Sequence, residues 1–350
     1  MDASEAGATM IRHWKPCARL ARAGWPSKGG VIMSNTRREF LQSSAALAFG
    51  IVGRAATNLA AETQSQTQLA GTPPAMPSEV QVPKMKFGNA EIGRLVLGVN
   101  PLYGWAHYNN NFSNAMRDWY TQDKVCEVMH RANSFGINAL NYVDAKRAPA
   151  DLAKFQSEGG KMHLIVQVTA PDDAAALYKD HKPLAMHRQG EVVDIAFRER
   201  TMDTVREWCK RVRDLGVLVG VGTHKPEVIE LVEEQGWDVD FYAGCVYNRT
   251  RTEEEWKQIL NGQLLEMPRE IYLQSDPARM YKVMRQTSKT CFAFKILAAG
   301  RIADDSVERA FRTAFSSIKP NDGVFVGMYP RNKDEVKEDA EIVHMILTGA

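Results

Sequence analysis

From Arg94 onward, short apolar or β-branched runs alternate with longer amphipathic stretches as far as the C-terminus. The runs predict strands at Arg94–Val99, Ile137–Val143, Met162–Thr169, Val192–Phe197, Val217–Gly222, Phe241–Tyr247, Cys291–Leu297 and Gly323–Gly327. Most are continuously apolar, as parallel strands covered on both faces must be, and do not alternate in and out. Helical periodicity predicts helices at Thr121–Phe135, Thr201–Asp214, Pro226–Gln235, Ser306–Ser317 and Lys333–Leu347. Gly136 and Gly216 stand where a left-handed residue ends a helix. Eight strands with helices between them predict an α/β fold of the closed (β/α)8, or TIM barrel, type. The competing open sheet needs a glycine-rich first turn. The nearest match, Gly220-Val221-Gly222-Thr223-His224-Lys225, lacks the last glycine of that fingerprint.

One connection is long. Between Tyr247 and Cys291 lie a charged helix, Glu253–Leu260, and a second segment, Asp276–Thr287. Long loops at the C-terminal mouth of a barrel commonly cover substrate.

The N-terminal region has a different pattern. Thr36-Arg37-Arg38-Glu39-Phe40-Leu41-Gln42 resembles the bacterial twin-arginine export signal, and an uncharged run from Phe40 to Gly53 follows it. That run suits a signal peptide and is too short to span a bilayer. Arg54 and the alanines at 55, 56, 60 and 61 supply a small-residue cleavage region, and Met33 stands where a start codon is expected. Residues 1–61 are therefore read as an N-terminal extension with a signal peptide. Residues 62–83, rich in Gln, Thr, Ser and Pro, are read as a linker, and 84–350 as the barrel domain. The expected partner is the twin-arginine export machinery. The expected location is the periplasm or another extracytoplasmic space, with no stable membrane span in the mature chain.

Composition narrows the functional classes. The 44 Lys+Arg and 42 Asp+Glu give a formal net charge of +2 in 350 residues, without the clustered basic face that nucleic acid requires. Cysteines at 17, 126, 209, 245 and 291 form no C-x-x-C pair, so neither a zinc site nor a redox dithiol is expected.

The order of motifs resembles the aldo-keto reductase superfamily. Phe87-Gly88-Asn89-Ala90-Glu91-Ile92-Gly93-Arg94-Leu95-Val96-Leu97-Gly98 is similar to that family's opening hairpin and first strand. Ala132-Asn133-Ser134-Phe135-Gly136-Ile137-Asn138 resembles the helix before its second strand, and Val219 through Glu227 its fifth strand and turn. Asp240 through Asn248 resembles the sixth strand, and Val326-Gly327 with Val336–Asp339 the last strand and cofactor-facing helix. The resemblance implies reduction of a small carbonyl compound with NADP(H), with Asn248, Arg331 and Lys333 as cofactor-binding candidates. The family uses an Asp, a Tyr five residues later, a Lys after the third strand and a His after the fourth. Ungapped counting places Asn141, Lys146 and Glu199 at the Asp, Tyr and His positions, and Val166-Gln167-Val168-Thr169 offers no lysine. All four roles are thus expected to be substituted.

Polar residues at the predicted strand ends are Asn100, Asn141, Asp144, Lys146, Gln167, Glu199, His224, Asn248 and Lys295. The catalytic candidates among them are Asn141, Lys146, Glu199, His224 and Lys295. Lys295 stands in an apolar run, Phe292-Ala293-Phe294-Lys295-Ile296-Leu297, where an ammonium must find an acid, meet a ligand or lose its proton. Gly222-Thr223 and the turn at Arg331-Asn332-Lys333 offer backbone N–H groups to an anion. His181 and His187 are expected in a solvated loop, and no metal-ligand spacing is present. The leading expectation is an exported oxidoreductase. The alternatives are a nicotinamide-independent lyase or isomerase, Schiff-base or metal-assisted, and a non-catalytic periplasmic binding protein.

Overall fold

The computed structural model describes residues 78–263, 270–303 and 305–350. The twin-arginine motif and residues 1–77 lie outside the described residues. Two short strands, β1 (Lys84–Phe87) and β2 (Ala90–Gly93), form an antiparallel hairpin. Eight parallel strands follow: β3 (Leu95–Gly98), β4 (Ala139–Tyr142), β5 (His163–Val168), β6 (Ala185–Arg188), β7 (Leu218–Thr223), β8 (Phe241–Cys245), β9 (Thr290–Phe294) and β10 (Gly323–Gly327). They close into a barrel in sequence order, with β10 pairing β3. The chain therefore has the (β/α)8 fold.

The helices are α1 (Asn110–Trp119), α2 (Gln122–Ser134), α3 (Ala148–Ser157), α4 (Ala174–His181), α5 (Gly190–Arg198) and α6 (Met202–Arg213). They continue with α7 (Pro226–Glu234), α8 (Glu253–Ile259), α9 (Asp276–Gln286), α10 (Ser306–Ser317) and α11 (Glu335–Thr348). Local chemistry sets their ends. Thr121 caps α2 through a bond from Lys124 N–H, and Gly136, at φ 78°, leaves the helix in the left-handed region that glycine tolerates. Thr252 and Glu255 form a capping box on α8. Among the described residues no helix is long and apolar enough to cross a membrane.

One expected strand is a helix. Val192–Phe197 lies within α5, where Gln189 caps Val192 N–H at 2.9 Å and Glu191 sits in the first turn. Val193, Asp194 and Ala196 are buried while Ile195 is exposed. The fourth barrel strand is instead Ala185-Met186-His187-Arg188, whose polar second half hides it from any search for apolar runs. Contacts with the barrel also extend back from Lys84 to at least Ser78. Ser78 N–H and Val82 N–H donate to the carbonyls of Ser134 and Phe135, both at 2.8 Å, so residues 78–83 are pinned where a linker was expected.

Inside the barrel, Val96, Ala139, Ile165, Ala185, Phe241, Ala243, Phe292 and Phe325 form a closed apolar layer. The hairpin plugs it: the Phe87 ring meets Phe241 and Phe292 edge-on at 5.2 and 5.1 Å. Strand residues two apart share a face, so the next inward layer follows directly. It is polar on three neighbouring strands, where Ala139 is followed by Asn141, Ile165 by Gln167 and Ala185 by His187. The glycines of β7 clear room for Phe241 of the apolar layer and for the Arg188 carbonyl and the His187 ring beside it. A Cβ on Gly220 would stand 2.4 Å from the Phe241 ring, and one on Gly222 3.1 Å from His187 Nδ1.

Candidate active site

The polar layer is the floor of a cavity of about 370 Å³ at the C-terminal mouth, lined by Asn141, Gln167, His187, Asn100, His107 and Lys295 among others. On the floor, His187 Nε2–H donates to Asn141 Oδ1 at 3.1 Å, while Nδ1 is buried without a partner. Burial pushes the His187 pKa down to about 4, so the imidazole is neutral near pH 7. The bond to Asn141 leaves the Asn141 amide N–H groups available to a ligand oxygen.

One wall is a charged network centred on Glu270. Its carboxylate accepts from His107 Nδ1–H at 2.8 Å and pairs with Arg249 at 2.8 Å and Lys295 at 3.2 Å; the Tyr272 hydroxyl also donates to it. Burial works against ionisation of Glu270, but His107, Lys295 and Arg249 outweigh it and hold the carboxyl well below the usual range. Asn100 Nδ2–H completes the His107 tautomer by donating to Nε2 at 3.1 Å. Burial lowers the pKa of Lys295, with Glu270 opposing. Its backbone stands at φ 61°, in the left-handed region, as do Ala298 and Ala299 in the loop that follows.

His224 stands behind this wall. Its Nδ1–H donates to Asp194 at 2.6 Å, Asp194 also accepts from the Thr223 and Thr250 hydroxyls, and the ring packs 5.7 Å from Phe294. Burial lowers the His224 pKa against the pull of Asp194. Arg249 Nη1–H approaches His224 Nε2 at 3.5 Å and thereby links the Asp194–His224 pair to Glu270.

The opposite side of the cavity is apolar, with Trp105, Phe112, Met116, Ile302 and Tyr329, and it ends at the first turn of α11. There the chain's own carboxylates answer one helix N–H group and one N–H group of the loop before the helix. Asp334 accepts from Lys337 N–H at 3.1 Å, and Glu335 accepts from Tyr329 N–H at 2.5 Å.

The mouth gathers some of the expected residues and leaves out others. Asn141 and Lys295 line the cavity, as do Asn100 and Gln167. Lys146 is exposed, its ammonium 5.5 Å over the Trp105 ring at the rim. Glu199 is the exposed residue that ends α5; the strand from which it was counted does not exist. With β6 at Ala185–Arg188, the fourth strand carries a histidine at its C-terminal end, His187, so a full substitution of the four roles does not follow from the count. His187 is enclosed rather than solvated, and His181 ends α4 against Asp144 at 3.7 Å. Asn248 is buried beside Asp276, whose carboxylate accepts its N–H at 3.2 Å, and it does not line the cavity. Arg331 is exposed and bonds the Tyr329 hydroxyl at 3.4 Å; Lys333 does line the cavity, paired with Glu338 at 2.7 Å.

Sequence reasoning passed over His107, Arg249, Glu270 and Asp194, and expected His187 in a solvated loop. His187-Arg188 at the end of a short run was the one local signal. Glu270 and Arg249 lie in the long connection after β8, where no periodicity marks a functional side chain.

No protein-family model matches this chain, and no curated protein matches it. Among solved structures it is similar to a truncated 3-deoxy-D-arabino-heptulosonate 7-phosphate synthase from Thermotoga maritima, at 12% identity over 77% of this chain and 92% of that one, TM-score 0.46. It is similar to a glycerol dehydrogenase from Gluconobacter oxydans, at 11% identity over 75% and 95%, TM-score 0.42. An aldo/keto reductase from Brucella melitensis matches at 12% identity over 78% and 99%, TM-score 0.40.

Proposed function

We propose that this chain is an enzyme acting on the carbonyl group of a small hydroxyl-bearing compound, an oxidoreductase of aldo-keto reductase type with an altered proton donor. The observation that carries the reading is that a buried lysine and a neutral imidazole–amide pair line one cavity. Asn141 and His187 provide hydrogen bonds to orient the carbonyl oxygen. Lys295 gives that oxygen its proton as the carbonyl carbon accepts a hydride, and Glu270 holds the ammonium in place at 3.2 Å. The apolar side keeps water from the reacting carbon. A nicotinamide cofactor supplies the hydride when bound.

The test is a titration with NADH and NADPH followed by fluorescence, with turnover of short hydroxyaldehydes. Binding at micromolar levels with carbonyl-dependent oxidation is expected. No binding and no oxidation at millimolar cofactor overturns the reading.

The burial of the Lys295 side chain in the cavity wall favours a second reading, in which its amine, after giving up a proton, adds to the carbonyl carbon and expels water to form a Schiff base. Borohydride treatment with a hydroxyketone then leaves a mass adduct on Lys295; an unmodified lysine excludes this path.

Export belongs to the same proposal. The Arg37-Arg38 pair, the uncharged run after it and the small-residue region support delivery of the folded enzyme by the twin-arginine route. Replacing both arginines by lysine is expected to retain the protein in the cytoplasm, and unchanged export on fractionation would contradict this.

A further inference from the structure

Glu270 serves two cations at once. Its Oε1 accepts from His107 Nδ1–H and lies 2.8 Å from Arg249 Nε, an ion pair without an aligned hydrogen bond. Its Oε2 accepts from the Tyr272 hydroxyl and lies 3.2 Å from Lys295 Nζ. The neighbouring thiol, phenol and imidazoles carry no charge that would balance the pair. On β8 burial pushes the Cys245 thiol up to about 11, and burial with Glu270 raises the Tyr272 hydroxyl. Burial lowers His107 and His224, so both rings are neutral at pH 7. Arg301 bonds the Glu270 carbonyl at 3.0 Å and lies 4.2 Å over the Tyr272 ring. At the α11 end of the cavity Lys333 is paired with Glu338, beside Glu335 and Asp339. One carboxylate is thus shared by Arg249 and Lys295, and only one of these can lose its proton. A guanidinium stays charged throughout the pH range of a folded protein, whereas a buried lysine does not.

Arg249 is held by groups that do not reach the cavity. Asp194 accepts the Nδ1–H of His224, which leaves His224 Nε2 as an acceptor 3.5 Å from Arg249 Nη1. Glu191 stands 3.4 Å from Arg249 Nη2 but is 49% exposed, so solvent screens it and it does not balance the second cation. We propose that Arg249 is a positioning residue for Lys295: it claims Glu270 with a charge that cannot be lost and leaves Lys295 as the member of the network that releases a proton. Both reactions considered for Lys295 require that release, and the inference rests on Lys295 as the reacting group. With Arg249 neutral, Glu270 belongs to Lys295 alone and the ammonium is held more firmly.

The experiment labels the folded full chain with trace acetic anhydride across a pH series and reads Lys295 against the exposed Lys86 by peptide mass spectrometry. Neither cofactor nor substrate is needed. In wild type the Lys295 midpoint is expected at least about 1 pH unit below that of Lys86. Arg249→Met and Arg249→Gln are expected to raise it by about 1 unit, a roughly tenfold drop in labelling on the acid side of the midpoint. Two neutral variants are used so that one that fails to fold, by circular dichroism, does not decide the matter. Arg249→Lys, which keeps a charge, is expected to stay near the wild-type midpoint, whereas a role in packing alone would move all three variants alike. A wild-type midpoint equal to that of Lys86 overturns the proposal without any variant, and so does an unmoved midpoint in a folded neutral variant. If the midpoint moves but the protein neither turns over a hydroxyaldehyde nor forms an adduct, the Arg249 role stands and the reaction falls. If Lys295→Met abolishes turnover and the Arg249 variants leave the midpoint in place, the reaction stands and the Arg249 role falls.

Discussion

His187 is fully enclosed and its folded pKa lies near 4, against 6.5 for the ordinary side chain. Between those values the unfolded chain binds a proton that the folded chain does not, so stability is complete above about pH 6.5 and falls as pH drops toward 4. A shift of this size corresponds to on the order of 3 kcal/mol. His187→Gln, which cannot titrate, is therefore expected to show a shallower loss of unfolding free energy over that window in urea melts, and identical slopes would exclude the assignment. Lys295 makes the complementary prediction in activity. Lys295→Met preserves the apolar stem and leaves Glu270 paired with Arg249 and His107, so the fold survives. Turnover is expected to fall by roughly 10²–10⁴-fold, the usual worth of a positioned proton donor; steady-state kinetics on the folded variant check it. At this scale Lys295 was legible from the sequence, because an ammonium in an apolar run is an anomaly in itself. His187 was not, because nothing in its neighbours announced a strand.

Elements explain that difference. An apolar test finds strands covered on both faces, and it succeeded for β3, β5, β7 and β10, whose outward and inward residues are largely apolar. It failed for β6, four residues long, where His187 faces the cavity and Arg188 bonds the Thr169 carbonyl at 2.6 Å. The neighbouring α5 then attracted the assignment, since Val192, Val193, Ile195, Ala196 and Phe197 satisfy a strand pattern as well as a helical one. The helix prevails because its N–H groups are capped and its two faces differ in burial. The loop after β9 offers a test at the same scale. Ala299 stands at φ 53°, ψ 45°, a region that costs an L-residue with a Cβ about 1–2 kcal/mol. Ala299→Gly is expected to stabilise the protein by about 1 kcal/mol, read as a higher Tm, and a lower Tm would show that the alanine methyl is needed where it stands.

For the whole molecule, the barrel is closed at one end by the hairpin and open at the other, and the polar floor separates the two. Phe87 is the piece that closes it. Phe87→Ala removes the ring wedged against Phe241 and Phe292 and is expected to cost about 3–5 kcal/mol, measured by chemical denaturation. A cost below 1 kcal/mol would mean that the hairpin is not part of the core.

The sequence alone determined the repeating strand–helix order apart from β6 and α5, the helix ends marked by Gly136 and Gly216, and the anomaly of Lys295, because each depends on neighbours within a few positions. The tertiary structure decided which polar residues meet. Ring closure brings Asn141 of β4 to His187 of β6, and the long connections return Glu270 to His107 and Lys295, residues 163 and 25 positions away. Those distances along the chain carry no periodic signal, so only the packed barrel reveals the site.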